Sequence, residues 1–283
     1  MSVQLIADSG ATKCEWRLVY LGESKTILTS GISPYFLTEQ QIGELLQKDL
    51  LPYLDAVTVD EVHFYGTGLG NPKNVEILVK ALKMVFSTAS IEANTDLLAA
   101  ARAVCGDQKG IACILGTGAN SCYYDGREIS KNIASLGYIL GDEGSGAHLG
   151  KKVLQYYLYN TFDEDLKSRF DAQFVTTYME ILENVYQKSF PNRYLASFAA
   201  FLSENRGHYM IENILEDGLN DFFFIHLNKY GESWTSPINF VGGIAFGFQD
   251  VIKELCNNYQ FQLGNIIKAP MEGLVHFHGG SIG

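Results

Sequence analysis

Three turns of small residues, each directly after an apolar stretch, restrict this chain more than any other feature of its sequence. They are Asp8-Ser9-Gly10-Ala11-Thr12-Lys13, Gly116-Thr117-Gly118 and Gly242-Gly243. Residues without bulky side chains let the backbone come close to a phosphate or a nucleobase. The apolar stretches are typical of buried strands, so each turn is a candidate nucleotide contact at the end of a strand.

The two commonest nucleotide-binding motifs do not account for these turns. Neither G-x-x-x-x-G-K-[ST] nor G-x-G-x-x-G occurs anywhere in the chain. A P-loop or a Rossmann-type site is therefore not expected.

Size and composition limit the class of protein. The 283 residues suffice for two domains, each with its own core, and no Pro-rich or Gly/Ser-rich tract interrupts them. A net charge of -11 without a Lys/Arg cluster argues against nucleic acid as a partner, because binding a phosphate backbone needs a basic face. The five cysteines are scattered and predict reduced, mostly buried thiols.

Neither a signal peptide nor a membrane span is recognisable in the sequence. The apolar stretch that begins near Met1 and ends at Ala7 is too short for the core of a signal peptide, and no apolar run approaches membrane-spanning length. We therefore expect a cytoplasmic protein that does not bind membranes.

Hydrophobic periodicity and capping residues predict alternating strands and helices. Thr38, with Gln41 three residues later, predicts the start of a helix that runs to about Leu50. Aromatic residues that recur three or four positions apart predict a helical core rather than a cofactor site in the region after Asp163. They include Phe170, Phe174, Tyr178 and Tyr186. The other predicted elements are a hairpin from Val3 to Tyr20, strands at 59–65, around 90–91, at 110–115, at 121–124 and from Asn239, and helices at 72–86, 97–104, after Gly243 to about Asn258, and 270–277.

The two halves of the chain share a short pattern where each begins. Ser9-Gly10-Ala11 falls on Thr117-Gly118-Ala119 when the two hairpins are compared, and Cys14 falls on Cys122. Chance can produce so short a match, but its position at the start of each half is typical of a duplicated domain.

The order of the three turns resembles the phosphate-1, phosphate-2 and adenosine motifs of the sugar kinase/Hsp70/actin superfamily. Gly141-Asp142-Glu143-Gly144-Ser145 and Asn94-Thr95-Asp96 resemble its N-acetylglucosamine kinase-like branch, which is related to the benzoyl-CoA-reductase-activating ATPases. The resemblance implies an α/β fold of two actin-like (ribonuclease H-like) domains, with mixed β-sheets flanked by helices and a nucleotide cleft between them. The N-terminal domain would comprise residues 1–108 and 270–283, and the C-terminal domain, with a helical insertion, residues 109–269.

For phosphoryl transfer the resemblance implies a general base and a magnesium ligand. Asp96 would accept the proton of the attacking sugar hydroxyl, and Asp8 would hold Mg²⁺ directly or through water. From the residues alone, Asp96 is better explained as a carboxylate at a helix start, and Asp8 suits an ordinary turn. The resemblance reverses the preference for Asp96.

ATP is the implied co-substrate, and its contacts are spread over the three turns. The implied nucleotide-binding residues are Ser9, Gly10, Ala11, Thr12, Lys13, Gly116, Thr117, Gly118, Gly242 and Gly243. Each glycine taken singly is better explained by a tight turn. Ser9 and Ala11 stand where the family usually has glycine, so the first loop departs from the family pattern.

The sugar site is implied in the same way. Its residues are Ser33, Thr67, Ala119, Asn120, Ser121, Leu136, Asp142 and Gly146. Asp142 would accept hydrogen bonds from sugar hydroxyls, although from the residues alone it suits the start of the next helix equally well. Ser33 falls where relatives tend to have Asn, and Leu136 falls where these kinases can carry Trp beside the sugar. Without that ring, the pocket would have room for a lactyl ether.

The resemblance thus predicts an ATP-dependent kinase acting on a hydroxyl, O6, of an N-acetylhexosamine. N-acetylglucosamine is the favoured substrate, and N-acetylmuramic acid or another amino sugar is the alternative. An activator ATPase is disfavoured because the closely placed cysteines of its iron–sulfur cluster are missing, and a non-catalytic sugar-binding regulator is disfavoured because Asp96 is present. Relatives are often dimers, so we expect a homodimer.

Overall fold

The computed structural model describes residues 2–10, 13–54 and 57–279. The chain divides into two compact units. The N-terminal unit comprises Met1–Gln108, Gly126–Glu128 and Ala269–Gly283, and the C-terminal unit comprises Lys109–Asp125 and Ile129–Lys268.

Each unit contains one mixed five-stranded sheet. The strands of the N-terminal unit are β1 (Gln4–Ser9), β2 (Lys13–Tyr20), β3 (Glu23–Ser30), β4 (Glu61–Gly66) and β5 (Ser90–Thr95). The strands of the C-terminal unit are β6 (Gly110–Leu115), β7 (Ala119–Tyr124), β8 (Ile129–Ile133), β9 (Ile238–Val241) and β10 (Leu263–Ile267).

Helices flank both sheets. The N-terminal unit has α1 (Glu39–Leu45), α2 (Pro72–Val85), α3 (Asp96–Cys105) and, near the end of the chain, α13 (Met271–Phe277). The C-terminal unit has α4 (Gly137–Leu140), α5 (Gly146–Leu158), α6 (Glu164–Gln173), α7 (Tyr178–Tyr186), α8 (Pro191–Ser197), α9 (Ala199–Glu204), α10 (Tyr209–Ile225), α11 (Gly243–Gly247) and α12 (Gln249–Asn258). Shorter 3₁₀ turns lie at Leu51–Tyr53, Leu227–Lys229 and Gly231–Trp234.

The two sheets have the same topology. Their strand orders are β3-β2-β1-β4-β5 and β8-β7-β6-β9-β10. In each sheet the first three strands in sequence form an antiparallel meander. The fourth strand pairs in parallel with the first, and the fifth pairs in parallel with the fourth. This repetition confirms the predicted α/β fold class with two mixed sheets, and it accords with a duplicated domain.

The predicted start of the first helix is confirmed. Thr38 accepts the backbone N–H of Gln41, and the Gln41 side chain accepts the backbone N–H of Thr38, which forms a capping box. The α-helix ends at Leu45, earlier than predicted, and Leu46–Leu50 continues as a π-helical turn. The wider turn keeps Leu46 and Leu50 buried.

Three strands, β3, β8 and β10, lie outside the elements that the sequence predicts. All three are at sheet edges, and β8 and β10 contain exposed polar residues. Edge strands bury little apolar surface, so their sequences lack the hydrophobic signal on which prediction depends. The helix predicted after Gly243 is in fact two helices, α11 and α12, which meet at Phe248.

The helical layers of the C-terminal unit have an aromatic core, as predicted. Phe170 lies at its centre, with the ring centroids of Phe174 and Phe201 4.9 and 5.3 Å away. The prediction is wrong for Tyr178 and Tyr186, which are exposed because they lie on the outer side of α7. Four of the five cysteines are buried thiols, in agreement with the prediction.

Across the part of the chain that the structure describes, every helix is too short or too polar to cross a lipid bilayer.

Candidate active site

Three parallel strands of the N-terminal unit end at one edge of its sheet. The register places Ser9 of β1 beside Gly66 of β4, and Gly66 beside Thr95 of β5. Carboxyl ends of neighbouring parallel strands bring the residues that follow them close together. Asp8, Thr67 and Asp96 are therefore gathered at this edge although they are distant in the sequence.

Asp96 is a half-buried carboxylate at the first position of α3. Thr95 caps the helix by accepting the backbone N–H of Leu98 at 3.2 Å, and the backbone N–H of Leu97 donates to Asp96 Oδ1 at 2.9 Å. Burial raises the pKa of Asp96 above its ordinary value, although the backbone N–H groups of Leu97 and of Asp96 itself, which donate to the carboxylate, oppose the rise. A carboxylate with a raised pKa is a stronger proton acceptor than a solvated one.

Asp8 lies in a similar environment. Burial, followed by the negative charges of Asp96 and Glu15, raises the pKa of Asp8 to about 6, and the positive charge of Lys13 opposes the rise. Two carboxylates that repel each other in a partly buried place favour a cation beside them.

We tested whether this donor set suits Mg²⁺. Mg²⁺ keeps several water ligands and usually takes only one or two carboxylates besides phosphate oxygens. Among the described residues no group of three or more His, Cys, Asp and Glu side chains is placed to hold a metal. One half-buried carboxylate, Asp8, with a second, Asp96, near enough for its charge to raise the pKa of Asp8, matches the sparse protein ligation that Mg²⁺ needs.

The turn after β1 is held by its own backbone and by Ser9. The backbone N–H of Gly10 donates to the carbonyl of Lys13 at 3.1 Å. The Ser9 hydroxyl donates to the carbonyl of Ile32 and accepts the Ile32 backbone N–H at 2.9 Å, so it fastens the loop that contains Ser33. Ala11 and Thr12, two of the predicted nucleotide-binding residues, lie outside the described residues.

Ser33 and Thr67 lie on loops that approach the same strand ends. Ser33 is buried, and its carbonyl accepts the N–H groups of Phe36 and Leu37. The Thr67 backbone N–H donates to the carbonyl of Ser9 at 3.3 Å. The exposed ring of Tyr35 packs on Gly68, where an added Cβ would come within 2.6 Å of it. Nothing in the local sequence signalled this contact, because it joins two loops that are far apart along the chain.

In the C-terminal unit, the Gly116-Thr117-Gly118 turn is fixed by the start of α5. The carbonyls of Gly116 and Thr117 accept the backbone N–H groups of Gly146 at 2.8 Å and Ala147 at 3.1 Å. The Gly116 N–H closes the turn on the carbonyl of Gly118. No described residue accepts a hydrogen bond from the N–H of Thr117 or Gly118, so both donors can serve a ligand.

The Gly242-Gly243 turn lies against the same strand end. A Cβ on Gly242 would come 2.2 Å from the carbonyl oxygen of Leu115, and φ at this residue is +129°. Only glycine fits such a close approach in this conformation. The structure thus brings together two turns that are more than a hundred residues apart in the sequence.

Asp142 lies beside the Gly116-Thr117-Gly118 turn. Its Oδ1 accepts the backbone N–H of Ala119 at 3.3 Å and the hydroxyl of Ser135 at 3.1 Å. Its Oδ2 lies 3.0 Å from where a Cβ on Gly118 would stand, so a side chain there would displace the carboxylate. Burial raises the pKa of Asp142, and these two hydrogen bonds lower it. Ser135 was not predicted, because only the fold brings it to Asp142.

The other predicted sugar residues of this unit differ in exposure. The Ser121 hydroxyl is fully buried and bonded to the hydroxyl of Tyr230 at 2.9 Å, and Tyr230 also accepts the backbone N–H of Ile133. Asn120 Oδ1 accepts the backbone N–H of Ser121 at 2.9 Å. Gly146 is buried at the start of α5, whereas Leu136 is 60% exposed before α4.

Glu143 is directed away from Asp142, toward α10. Its Oε2 lies 3.1 Å from Nε2 of His226, whose ring is buried just after α10. Neither residue was predicted as part of the site, although both adjoin it.

The chain is similar to proteins of known structure. No family model and no curated protein matches the chain. A provisionally assigned N-acetylglucosamine kinase from Porphyromonas gingivalis is 38% identical, with a TM-score of 0.92 and 98% of each chain covered. One from Chromobacterium violaceum is 17% identical, with a TM-score of 0.74, and covers 98% of this chain and 99% of its own. A glucokinase of the ROK family from Streptomyces griseus, solved with glucose and AMPPNP, is 15% identical, with a TM-score of 0.56 and 98% of each chain covered. The last two show likeness of fold alone.

Proposed function

Because the chain belongs to the N-acetylglucosamine kinase-like branch of the sugar kinase/Hsp70/actin superfamily, we propose that it is an ATP-dependent sugar kinase. Its reaction transfers the γ-phosphoryl group of ATP to a hydroxyl, O6, of an N-acetylhexosamine. The observation that carries the proposal is the pair of half-buried carboxylates, Asp8 and Asp96, at the ends of parallel strands, where loss of solvent raises the pKa of both.

Asp96 acts as the general base. As the bond between O6 and the γ-phosphorus forms and the bond to ADP breaks, the hydroxyl proton moves to the Asp96 carboxylate. Its position at the start of α3, fixed by the Thr95 cap, supports this role, because a base must be held within hydrogen-bond distance of the proton that it takes.

Asp8 would hold Mg²⁺ when the metal is bound. A bound Mg²⁺ neutralises charge on the phosphates of ATP. The raised pKa of Asp8, caused by burial and by Asp96, supports a site at which a cation relieves electrostatic repulsion. Lys13, whose charge opposes that rise, adds a second positive group for phosphate oxygens.

The nucleotide is bound mainly through backbone groups. The N–H groups of Thr117 and Gly118 are available as donors to phosphates, since the described residues leave them without an acceptor. Gly242 and Gly243 lie against adenine or ribose, where the absence of side chains permits close approach. Such donors suit an acidic protein, since they bind an anion without a basic surface.

The acceptor sugar is held by Asp142 and the loops around it. A carboxylate with Oδ1 already fixed by Ala119 and Ser135 suits sugar hydroxyls, which donate hydrogen bonds. The relative from P. gingivalis supports N-acetylglucosamine as the first acceptor to test. The exposed Leu136 favours N-acetylmuramic acid as the second, because an aliphatic side chain leaves more space than an indole ring.

An ATP-coupled assay with Mg²⁺ across N-acetylglucosamine, N-acetylmuramic acid, N-acetylmannosamine, glucosamine and glucose tests this function. We expect ADP release that depends on one of the N-acetylated sugars and disappears with EDTA. ATP hydrolysis that proceeds at the same rate with and without every sugar would contradict the proposal.

A further inference from the structure

The backbone of the segment Gly141–Gly146 needs support from outside. Asp142 has φ +57° and Gly144 has φ +73°, so two residues out of three adopt the left-handed conformation. A non-glycine residue keeps this conformation only where its surroundings hold it there. What surrounds Asp142 therefore decides where its carboxylate lies.

Backbone hydrogen bonds secure one side of the segment. The Ser145 N–H donates to the carbonyl of Asp142 at 3.0 Å, and the Gly146 N–H donates to the carbonyl of Gly116 at 2.8 Å. These bonds fix the end of the segment that leads into α5. Among the described residues, no backbone hydrogen bond reaches the peptide between Glu143 and Gly144, which is left to be held by side chains.

The last turn of α10 supports the other side. Phe222 packs so closely on Gly144 that an added Cβ there would lie 2.8 Å from Phe222 Cβ. The His226 ring stacks on Phe222 with centroids 4.9 Å apart and is 3% exposed. Its Nε2 lies 3.1 Å from Glu143 Oε2, while its buried Nδ1 has no partner within the described residues. The bond to Glu143 is thus the single polar contact of the His226 ring among the described residues.

The contact also separates two adjacent acids. Asp142 and Glu143 are neighbours in sequence, and the charge of Glu143 disfavours ionisation of Asp142 while that of His226 favours it. A partner that binds Glu143 on the side away from Asp142 keeps the two carboxylates apart and leaves Asp142 free for a ligand.

We propose that His226 is a positioning residue for the sugar, acting through Glu143 to fix the Asp142 carboxylate in its binding geometry. The inference rests on the proposed function, because it assumes that Asp142 binds the acceptor. It predicts an effect on the sugar and not on ATP, since the contact adjoins Asp142 and leaves the free donors of Thr117 and Gly118 unchanged.

Steady-state kinetics of four variants test the inference. His226→Phe keeps a ring to stack on Phe222 but removes the bond to Glu143. We expect the KM for the sugar to rise about tenfold, since losing a hydrogen bond to a charged group has about this effect. The KM for ATP should stay within about twofold of wild type. Glu143→Ala breaks the same bond from the more accessible side and should give the same rise if His226→Phe folds poorly. Glu143→Gln keeps an acceptor for His226, so its KM for the sugar should stay within about threefold of wild type.

His148→Phe is the matched control. His148 Nε2 of α5 lies 3.1 Å from Asp221 Oδ2 of α10, so it too forms a histidine–carboxylate pair, but this pair does not adjoin Asp142. Its KM for the sugar should equal that of wild type. The inference is overturned if the KM for the sugar is unchanged in both His226→Phe and Glu143→Ala. It is also overturned if that KM rises equally in His148→Phe, or if the KM for ATP rises by the same factor. In either case, activity of the wild type leaves the kinase function intact. A wild-type protein that phosphorylates no sugar overturns both.

Discussion

At Asp8 the fold holds a carboxyl group in surroundings that oppose its charge. Burial and the charge of Asp96 raise its pKa from 3.8 to about 6, so the folded protein binds this proton more tightly than the unfolded chain does. Between these two pH values the folded state loses stability as pH rises, and the full penalty is present above pH 6. Strain of this kind is typical of functional sites, where stability is given up for chemistry.

In the absence of metal and nucleotide, Asp8→Asn should therefore be more stable than the wild-type protein. We expect an increase in the free energy of unfolding on the order of 2–3 kcal/mol at pH 7, because the poorly solvated charge is gone, and less than about 1 kcal/mol at pH 4, where the folded carboxyl is still protonated. Urea denaturation in EDTA at both pH values measures it. A variant less stable than wild type at pH 7 would show that the charge of Asp8 is already compensated in the fold.

Asp96→Asn should abolish turnover while leaving binding intact. Loss of the proton acceptor should lower kcat by about 10²–10⁴-fold, with sugar and ATP affinities by calorimetry close to those of wild type. In the wild type, kcat should fall as pH decreases through the raised pKa of Asp96, because only the ionised form accepts a proton. Asp107→Asn, an exposed aspartate of the same unit, is the control. Turnover near that of the control would remove Asp96 from the catalytic role.

At the scale of elements, the C-terminal unit depends on two strand ends that nearly touch. The turn that follows β9 passes so close to the end of β6 that a methyl group at Gly242 has no room, whereas the position of a Cβ on Gly243 is open. The two glycines therefore differ in why glycine is present, although they are neighbours in the sequence and belong to one predicted adenosine motif.

Gly242→Ala should destabilise the protein by about 2–4 kcal/mol, because the added Cβ meets the Leu115 carbonyl and the backbone keeps φ +129°. Gly243→Ala should change the free energy of unfolding by less than about 1 kcal/mol, since it adds a helix-favouring residue in open space. Urea midpoints of the two variants give the comparison. Equal losses of stability would show that strand-end packing is not what requires glycine at position 242.

Strand prediction succeeded or failed according to burial. β1, β6 and β9 are apolar and lie inside their sheets, so hydrophobic periodicity finds them. β3, β8 and β10 lie at edges and carry no comparable signal. Capping residues were more dependable, since the Thr38 and Gln41 pair acts locally and the capping box formed as predicted.

For the whole molecule, one topology used twice explains why the sequence predicts the fold class well. Each unit begins with an antiparallel hairpin around a small-residue turn, and the next two strands of its sheet extend it in parallel. Residues at turns that follow buried strands could be located from the sequence for this reason. Partners brought in by long-range contacts could not, and His226 with Glu143, 83 residues apart, is the clearest case.

The proposed reaction is the transfer of phosphate from ATP to an amino sugar. Its most direct test is ³¹P NMR of the products after incubation with ATP, Mg²⁺ and N-acetylglucosamine or N-acetylmuramic acid. We expect a phosphomonoester coupled to the protons on C6 of the sugar, formed in equal amount to ADP. Inorganic phosphate as the only new product besides ADP would contradict it.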